Sequence, residues 1–201
     1  MPEDRNRILF HAYEGGEIVH GTCVHAFPLH IHRCRCVGQV TGGAAWFVLR
    51  GDVRLLSAGD WYVVPAYAPH TLRSAGLGPM TYTVTCGPPH PLPDRLSPVV
   101  VDAVAYIRSA APGFRLDDVA GAVHVSKYHL CRLFTREVGL SPYQFFAGTR
   151  IGQARRGMEQ RVPLADLSAA LGFCDQAHLG NSFKRHVGVS PREYVRSYRY
   201  G

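Results

Sequence analysis

A segment in the second half of the chain occurs twice, at an offset of 49 residues, and this repeat constrains the fold more than any other feature. The identical residues are Asp117, Ala120, Leu130, Phe134, Arg136, Val138, Gly139, Ser141 and Pro142 in the first copy, and Asp166, Ala169, Leu179, Phe183, Arg185, Val187, Gly188, Ser190 and Pro191 in the second. Within each copy the apolar residues recur every three or four positions, which is the spacing of an amphipathic helix. Each copy therefore predicts a helix, a turn and a second helix, over Leu116–Ala122 and Lys127–Val138 and over Leu164–Leu171 and Gln176–Val187.

Two further local signals complete this all-α half. Ser126 and Asp175 stand directly before the second helix of their copies, and both residue types are favoured N-caps. Tyr143–Gln160 lies between the copies and predicts one long helix that joins two similar units. The repeat thus predicts two helix-turn-helix motifs, at about 116–138 and 164–187.

A proline cluster, Pro88-Pro89-His90-Pro91-Leu92-Pro93, separates this half from the rest. Proline has a fixed φ and no N–H, so the cluster excludes a helix or a central strand and predicts an extended linker. Before it, the apolar runs 46–49, 53–56 and 61–64 alternate with turn residues at 51–52 and 58–60, which is typical of antiparallel strands. The predicted architecture is α+β, with a β domain over residues 1–92 and an all-α domain over 93–201.

The positive charge of the chain is concentrated in the second half. Residues 94–201 contain thirteen Arg and two Lys against nine Asp and Glu, a net charge of +6, whereas residues 1–93 have a net charge of +1. A basic module with two helix-turn-helix motifs favours double-stranded DNA as the partner, each second helix entering one of two successive major grooves. A helical adaptor is the alternative.

Four segments make this expectation more specific. They are Val125-Ser126-Lys127-Tyr128-His129-Leu130-Cys131-Arg132-Leu133-Phe134, Val138-Gly139-Leu140-Ser141-Pro142-Tyr143, Leu171-Gly172-Phe173-Cys174-Asp175-Gln176 and Gly188-Val189-Ser190-Pro191-Arg192-Glu193-Tyr194. Through them, residues 94–201 resemble the DNA-binding domain of AraC/XylS-family transcription regulators. The resemblance implies recognition helices at Lys127–Thr135 and Gln176–Lys184.

The resemblance also implies a role for each exposed position of these helices. The positions expected to face bases are Tyr128, Cys131 and Arg132 in the first groove and Gln176, Ala177, Gly180 and Asn181 in the second. The positions expected to contact phosphates are Lys127, Arg136, Lys184 and Arg185. Of the base-facing residues, Arg132 is the one suited to bidentate contact with a guanine. Gly180 has no side chain to reach a base, so the second helix is expected to contribute mainly affinity.

The first half contains a run of four possible metal ligands, His30, His32, Cys34 and Cys36, at alternate positions. A β-strand points alternate side chains to one face, so the run predicts that all four project together. Another histidine, His70, follows a predicted strand further along the chain. Six cysteines at scattered positions, with no export signal, favour reduced thiols over a disulfide framework.

These residues resemble the two motifs of a cupin, a small β-barrel. His30 and His32 match the paired histidines of the first motif, and Cys36 falls at the position of its glutamate. Gly59, Pro65 and His70 match the second motif, in which Tyr67 replaces the usual glycine. The resemblance implies a metal site of His30, His32, Cys36 and His70, with Cys34 as an alternative ligand and Cys23 as a more distant one. Three imidazoles and one thiolate suit Zn, Ni, Co or Fe rather than Mg or Ca.

The function predicted from these features is sequence-specific regulation of transcription, as an activator or a repressor. The cupin domain is expected to bind a transition metal or a small effector that modulates DNA binding. Three alternatives stay open: a metal-dependent cupin enzyme fused to a DNA-binding module, a purely structural metal, and a metal-free barrel that binds an organic effector. No enzymatic activity is expected, because residues 1–93 contain six carboxylates and none lies beside the ligand run.

The sequence also predicts where the protein is located and how it assembles. No stretch approaches the roughly 18 apolar residues of a membrane span, and no secretory signal is recognisable, so a cytoplasmic protein without a membrane partner is expected. RNA polymerase is a further possible partner. The β half ends near residue 86 and leaves no room for a dimerising helical hairpin before the prolines, so a monomer and a dimer through barrel strands both stay open.

Overall fold

The computed structural model describes residues 6–76, 78–110 and 114–200. These residues group into two compact units. The residues up to Pro91 group with those from Phe183 onward, and Leu92–Ser182 forms the other unit. The division at residues 92 and 93 stays a prediction of the sequence.

The described part of the chain forms nine strands in two sheets. The strands are β1 (Arg7–Tyr13), β2 (Gly16–Cys23), β3 (Cys34–Gly42), β4 (Ala44–Leu49), β5 (Asp52–Ser57), β6 (Trp61–Val64), β7 (His70–Ser74), β8 (Met80–Pro89) and β9 (Tyr198–Tyr200). One sheet has the order β6-β3-β8-β2-β1-β9 and the other the order β5-β4-β7. All pairings are antiparallel except that of β1 with β9.

The core of this unit lies between the inner faces of the two sheets. Val40 and Tyr62 of one sheet and Phe47 and Leu72 of the other belong to a single buried cluster. The rings of Phe47 and Tyr62 lie 4.8 Å apart between centroids. This arrangement confirms the predicted cupin-like β domain.

The described residues also form seven helices. They are α1 (Pro98–Ser109), α2 (Leu116–Ala122), α3 (Lys127–Val138), α4 (Pro142–Glu159), α5 (Leu164–Ala170), α6 (Gln176–Val187) and α7 (Pro191–Ser197). The two predicted helix-turn-helix motifs are α2 with α3 and α5 with α6, and the predicted joining helix is α4. The predicted all-α architecture with two such motifs is therefore confirmed.

The repeated Gly-x-Ser-Pro sequences end one helix and begin the next. Gly139 and Gly188 have φ values of 82° and 89°, a left-handed conformation that glycine adopts without a steric penalty. The Ser141 hydroxyl then accepts from the Gln144 N–H, and the Ser190 hydroxyl accepts from the Glu193 N–H. A proline follows each serine at the first helical position, where no N–H is needed.

Two predictions about the β half were wrong in detail. Residues 30–33 are not part of a strand, since β3 begins only at Cys34. Pro88 and Pro89 are not linker but the end of β8, which lies inside the sheet. Beyond Cys86, β8 pairs only with β3, so these prolines occupy a stretch with one unpaired edge, where a missing N–H is tolerated.

Candidate metal centre and nucleic-acid interface

Three histidines of the β unit lie together. The ring centroids of His30 and His70 are 4.2 Å apart, those of His32 and His70 4.7 Å, and those of His30 and His32 4.8 Å. One nitrogen of each ring lies within 4.8 Å of the others. Tetrahedral zinc ligands at 2.0–2.1 Å from the ion lie about 3.4 Å apart, so small side-chain rotations would bring these rings to coordinating distance.

Backbone contacts rather than a continuous strand bring the histidines together. His30 and His70 exchange two hydrogen bonds, from the His30 N–H to the His70 carbonyl at 3.1 Å and back at 3.0 Å. The Tyr67 N–H donates to the carbonyl of His32 at 2.8 Å. Tyr67 has a φ of 60°, the left-handed conformation expected where the cupin motif has glycine. The predicted convergence of these histidines is therefore produced by an isolated bridge and a turn.

The ring nitrogens of two of these histidines are already oriented. Nδ1 of His30 donates to the carbonyl of Pro28 at 2.7 Å, and Nδ1 of His70 donates to that of Ala68 at 3.0 Å. With Nδ1 protonated, each neutral ring keeps its lone pair on Nε2, which is the usual arrangement of metal-binding histidines. Burial lowers the pKa of His30 to about 3 and also lowers the pKa of His70, so both rings are neutral near pH 7.

The cysteine predicted to complete the site lies on its edge. Cys36 Sγ is 3.1 Å from Nδ1 of His32 but belongs to a different group of possible ligands, consisting of His32, Cys34, Cys36 and Cys86. Cys36 also forms a disulfide with Cys86. The expectation of reduced thiols throughout is therefore wrong for this pair. Sequence reasoning missed Cys86 because its relation to Cys36 depends on the register of β8 against β3.

The predicted recognition helices α3 and α6 expose the same positions. In α3 the exposed residues are Lys127, Tyr128, His129, Arg132, Thr135 and Arg136. In α6 they are Gln176, Ala177, His178, Asn181, Lys184 and Arg185, which are the equivalent positions of the repeat. Cys131 and Gly180, also equivalent to each other, are only half-exposed. Tyr128 is 77% exposed, so its ring is accessible to a partner.

The predicted caps begin both helices. The Ser126 hydroxyl accepts from the His129 N–H at 3.2 Å, and a carboxylate oxygen of Asp175 accepts from the His178 N–H at 2.7 Å. Leu130 and Leu179, equivalent residues of the repeat, are fully buried. The two helices are thus built in the same way, with the apolar stripe inward and the polar positions outward.

Family models match both halves of the chain. A model described as "AraC-like ligand binding domain" matches residues 15–90, and one described as "Helix-turn-helix domain" matches residues 119–197. The chain belongs to the AraC family. The resemblance recognised in the sequence is confirmed.

Relatives described as transcription regulators match less than half of this chain. An uncharacterised helix-turn-helix regulator, YbfI of Bacillus subtilis, is 38% identical over 69 residues, which cover 34% of this chain and 25% of that protein. The arabinose operon regulatory protein of Salmonella typhimurium is 34% identical over 98 residues, which cover 47% of this chain and 35% of that protein. The chain therefore matches between a quarter and about a third of the length of these two relatives.

One solved structure has the same fold as about half of this chain. It is the C-terminal domain of AraT, a response regulator from Geobacillus stearothermophilus, which is 29% identical to this AraC-family chain. The match has a TM-score of 0.50 and covers 54% of this chain and 91% of that one.

Sequence reasoning missed two exposed residues of the AraC-type helices, His129 and His178. Both lie between positions that were predicted to contact DNA. The ring of His178 packs edge-on against Phe173 at 5.2 Å, and its Nδ1 accepts from the N–H of Cys174 at 3.4 Å. The register of the repeat identifies them, because His129 and His178 occupy equivalent positions.

A short segment after β2 connects the histidine group to the end of α6 within one compact unit. The Phe27 N–H donates to the carbonyl of Leu72 at 3.1 Å, and the Thr71 hydroxyl donates to the carbonyl of Phe27. Two residues earlier, Nε2 of His25 donates to the carbonyl of Arg185 at 2.9 Å. The segment thus contacts the neighbours of His70 on one side and the last turn of α6 on the other.

None of the helices in the described ranges combines the length and apolar character required to cross a membrane.

Proposed function

We propose that this AraC-family chain is a DNA-binding transcription regulator whose β domain binds a transition metal, or an effector coordinated by one, and thereby changes its affinity for DNA. The observation that supports the DNA-binding role most directly is the matched exposure of α3 and α6. Two helices of different sequence expose the same six positions, and both present basic residues. Each helix buries its apolar stripe, so its exposed face is polar and basic, as insertion into a major groove requires.

Each exposed residue has a proposed contact. Arg132 and Asn181 occupy equivalent central positions, and their side chains suit bidentate contacts with guanine and adenine respectively. Tyr128, Cys131, Gln176, Ala177 and Gly180 are proposed to adjoin bases, and Lys127, Arg136, Lys184 and Arg185 to contact phosphates. Lys127 forms an exposed ion pair with Asp117 at 2.9 Å. Such pairs contribute little to stability, so Lys127 can exchange Asp117 for a phosphate at small cost.

The metal site is proposed to consist of His30, His32 and His70, with Cys36 available as a fourth ligand when its thiol is reduced. The donor set supports this assignment, because two of the three rings have Nδ1 bonded to carbonyl oxygens and Nε2 available. Nitrogen and sulfur donors favour Zn, Co, Ni or Fe over Mg or Ca. A bound ion would supply a fixed positive charge and a coordination position for an effector.

Regulation is proposed to act through the segment that joins His25 to His30. A ligand changes an equilibrium only if it binds one state more tightly than another. An ion that fixes the rings of His30 and His70 would also fix this segment, whose His25 holds the last turn of α6 through the Arg185 carbonyl. Loss of the ion would release that turn, and the adjacent phosphate-contacting residues of α6 would lose their fixed position.

A metal-dependent enzyme is the second candidate, and the composition of the site disfavours it. Among the described residues, neither group of possible metal ligands includes a carboxylate, so a general acid or base is not evident beside the ion. Turnover of a substrate by the metal-loaded chain would support the enzyme. A purely structural ion would instead be recognised by unfolding of the β domain on chelation.

Enrichment from a library of random DNA duplexes tests the DNA-binding role. We expect the full chain to select duplexes with two conserved half-sites about one helical turn apart, because two recognition helices read successive grooves. Affinity for the selected duplex should exceed affinity for random DNA at every salt concentration, since base contacts add to the phosphate contacts that both duplexes offer. Recovery of unrelated duplexes with equal affinity would contradict a sequence-specific regulator.

A further inference from the structure

Three cysteine sulfurs and one imidazole form a second cluster beside the histidine group. Cys36 of β3 and Cys86 of β8 are register partners with Cα atoms 4.2 Å apart, and their sulfurs form the disulfide. The Cys36 sulfur lies 3.7 Å from the Cys34 sulfur and 3.1 Å from Nδ1 of His32. The ligand atoms of all four residues lie within 4.8 Å of one another.

We propose that His32, Cys34, Cys36 and Cys86 form a redox-gated metal site. When the thiols are reduced, three thiolates and one imidazole bind a soft divalent cation such as Zn²⁺ in the Cys₃His arrangement of tetrahedral zinc sites. When Cys36 and Cys86 are oxidised, the disulfide removes two of the three thiolates and the cation is released. His32 belongs to both groups of ligands, so the state of the thiols also alters the histidine group.

The reason to expect both redox states rests on the proposed function. A regulator of chromosomal genes works in a compartment that keeps thiols reduced, where disulfides are usually transient and serve redox sensing or catalysis. In such a protein we expect the disulfide to form and break reversibly rather than to serve as a constant structural crosslink. The cluster contains both the bonded pair and the ligands that a metal would take after reduction.

The burial of the three cysteines suggests how an oxidant enters. Cys36 is fully buried and Cys86 is 5% exposed, whereas Cys34 is half-buried. A hydroperoxide, the oxidant we name for this step, therefore meets Cys34 first. Cys34 lies close enough to Cys36 to pass the oxidation inward by thiol–disulfide exchange.

The relay from Cys34 to the Cys36–Cys86 disulfide has three steps. The Cys34 thiolate attacks the peroxide, the O–O bond breaks, and Cys34 becomes a sulfenic acid while one hydroxide leaves and is protonated to water. The Cys36 thiol displaces the sulfenic hydroxyl as a second water and forms a Cys34–Cys36 disulfide. The Cys86 thiolate then attacks the Cys36 sulfur, and Cys34 leaves as a thiolate. In sum, two thiols lose two electrons and hydrogen peroxide is reduced to two waters.

Cobalt is the probe for the test, because thiolate ligands give Co²⁺ a sulfur-to-metal charge-transfer absorption that histidine ligands do not. The full chain is reduced with dithiothreitol or oxidised with hydrogen peroxide, the reagent is removed completely in the absence of air, and each form is titrated with Co²⁺. We expect the sulfur-to-metal absorption in the reduced form only. The affinity of the thiolate site for cobalt should be at least roughly tenfold lower after oxidation. Alkylation and peptide mapping should find Cys36 joined to Cys86, and dithiothreitol should restore the first state.

Two variants separate the relay from general oxidation. Cys34→Ser should slow formation of the Cys36–Cys86 disulfide by peroxide at least roughly tenfold, because the entry thiol is gone. Cys174→Ser removes an exposed thiol outside the cluster and should leave the rate unchanged. Equal rates in both variants, or oxidation that joins other cysteines, would overturn the relay.

The same samples distinguish this proposal from the proposed function. Cobalt bound by the reduced chain without sulfur absorption would overturn the thiolate site while leaving the histidine site intact. No cobalt in either state would overturn both metal assignments. DNA affinity is measured in parallel, and its loss in every state would contradict the regulator without affecting the redox chemistry.

Discussion

Replacing Arg132 with alanine is expected to weaken binding to the selected duplex by about 1–3 kcal/mol, the value of a lost bidentate contact with a guanine. Arg132 is exposed in the middle of α3, and no ion pair is assigned to it among the described residues. Its guanidinium is therefore available to a base. The measurement is a titration of fluorescent duplexes at fixed salt, with the native base pair and with each of the three alternatives at every position of the half-site.

The pattern across duplexes decides the role of Arg132. We expect the variant to lose its preference at one base pair while keeping its affinity for random DNA close to that of the native chain. Arg136→Ala is the matched comparison on the same helix, and it should weaken selected and random duplexes alike, because it is proposed to contact a phosphate. Arg54→Ala removes the same charge from the exposed face of β5 and should leave binding unchanged. Equal losses for Arg132→Ala on selected and random DNA would show that Arg132 contacts only phosphate.

Replacing His70 with glutamine is expected to lower the metal affinity of the β domain by more than about 100-fold, since even groups that only orient ligands are worth roughly 10–100-fold. The histidine is 5% exposed and lies at the centre of the group, with its ring 4.2 Å from that of His30 and 4.7 Å from that of His32. Glutamine keeps the backbone bonds that His70 exchanges with His30 but has no imidazole nitrogen. Competition with a chelating dye measures the affinity, on the chain with the Cys36–Cys86 disulfide intact, so that only the histidine group binds metal.

His20→Gln is the control for the loss of a histidine. His20 is exposed on β2 and contacts Thr83, with 2.9 Å between its Nδ1 and the Thr83 hydroxyl, outside both groups of possible ligands. Its replacement should leave metal affinity at the native value. The thermal unfolding of both metal-free variants should match, so that a loss of affinity reports the ligand rather than the fold. Native affinity in His70→Gln would contradict the histidine site.

The helical half was predictable because its signals are local. The caps Ser126 and Asp175, the left-handed Gly139 and Gly188, and the apolar stripes act within one helix or turn, so the sequence alone specifies them. The same cap, glycine and apolar positions recur 49 residues later, so each local signal is supported by its second copy. Helix α6 was accordingly predicted with the bounds that the structure has.

The strands of the β half were largely predictable, whereas the arrangement of its possible metal ligands was less so. The turns at Gly51 and Gly59 were predicted because their signals are local, and both glycines have a positive φ, which glycine adopts without a steric penalty. The pairing of Cys36 with Cys86 instead depends on residues 50 positions apart, which only the strand register brings together. His30 was predicted to lie in a strand but does not. Its backbone instead forms an isolated bridge with His70, 40 positions along the chain, which the local sequence does not specify.

The central claim is that an ion in the β domain changes the affinity of the helices for DNA, and one measurement tests it directly. The tag-free chain with the Cys36–Cys86 disulfide intact is analysed for bound metal by mass spectrometry, and its affinity for the selected duplex is measured before chelation, after chelation and after reconstitution, at one salt concentration. We expect about one transition-metal ion per chain in the histidine group, at least roughly fivefold weaker DNA binding without it, a typical size of allosteric coupling, and full recovery on reloading. A chain that stays folded and binds DNA with the same affinity in all three states would contradict a metal-responsive regulator.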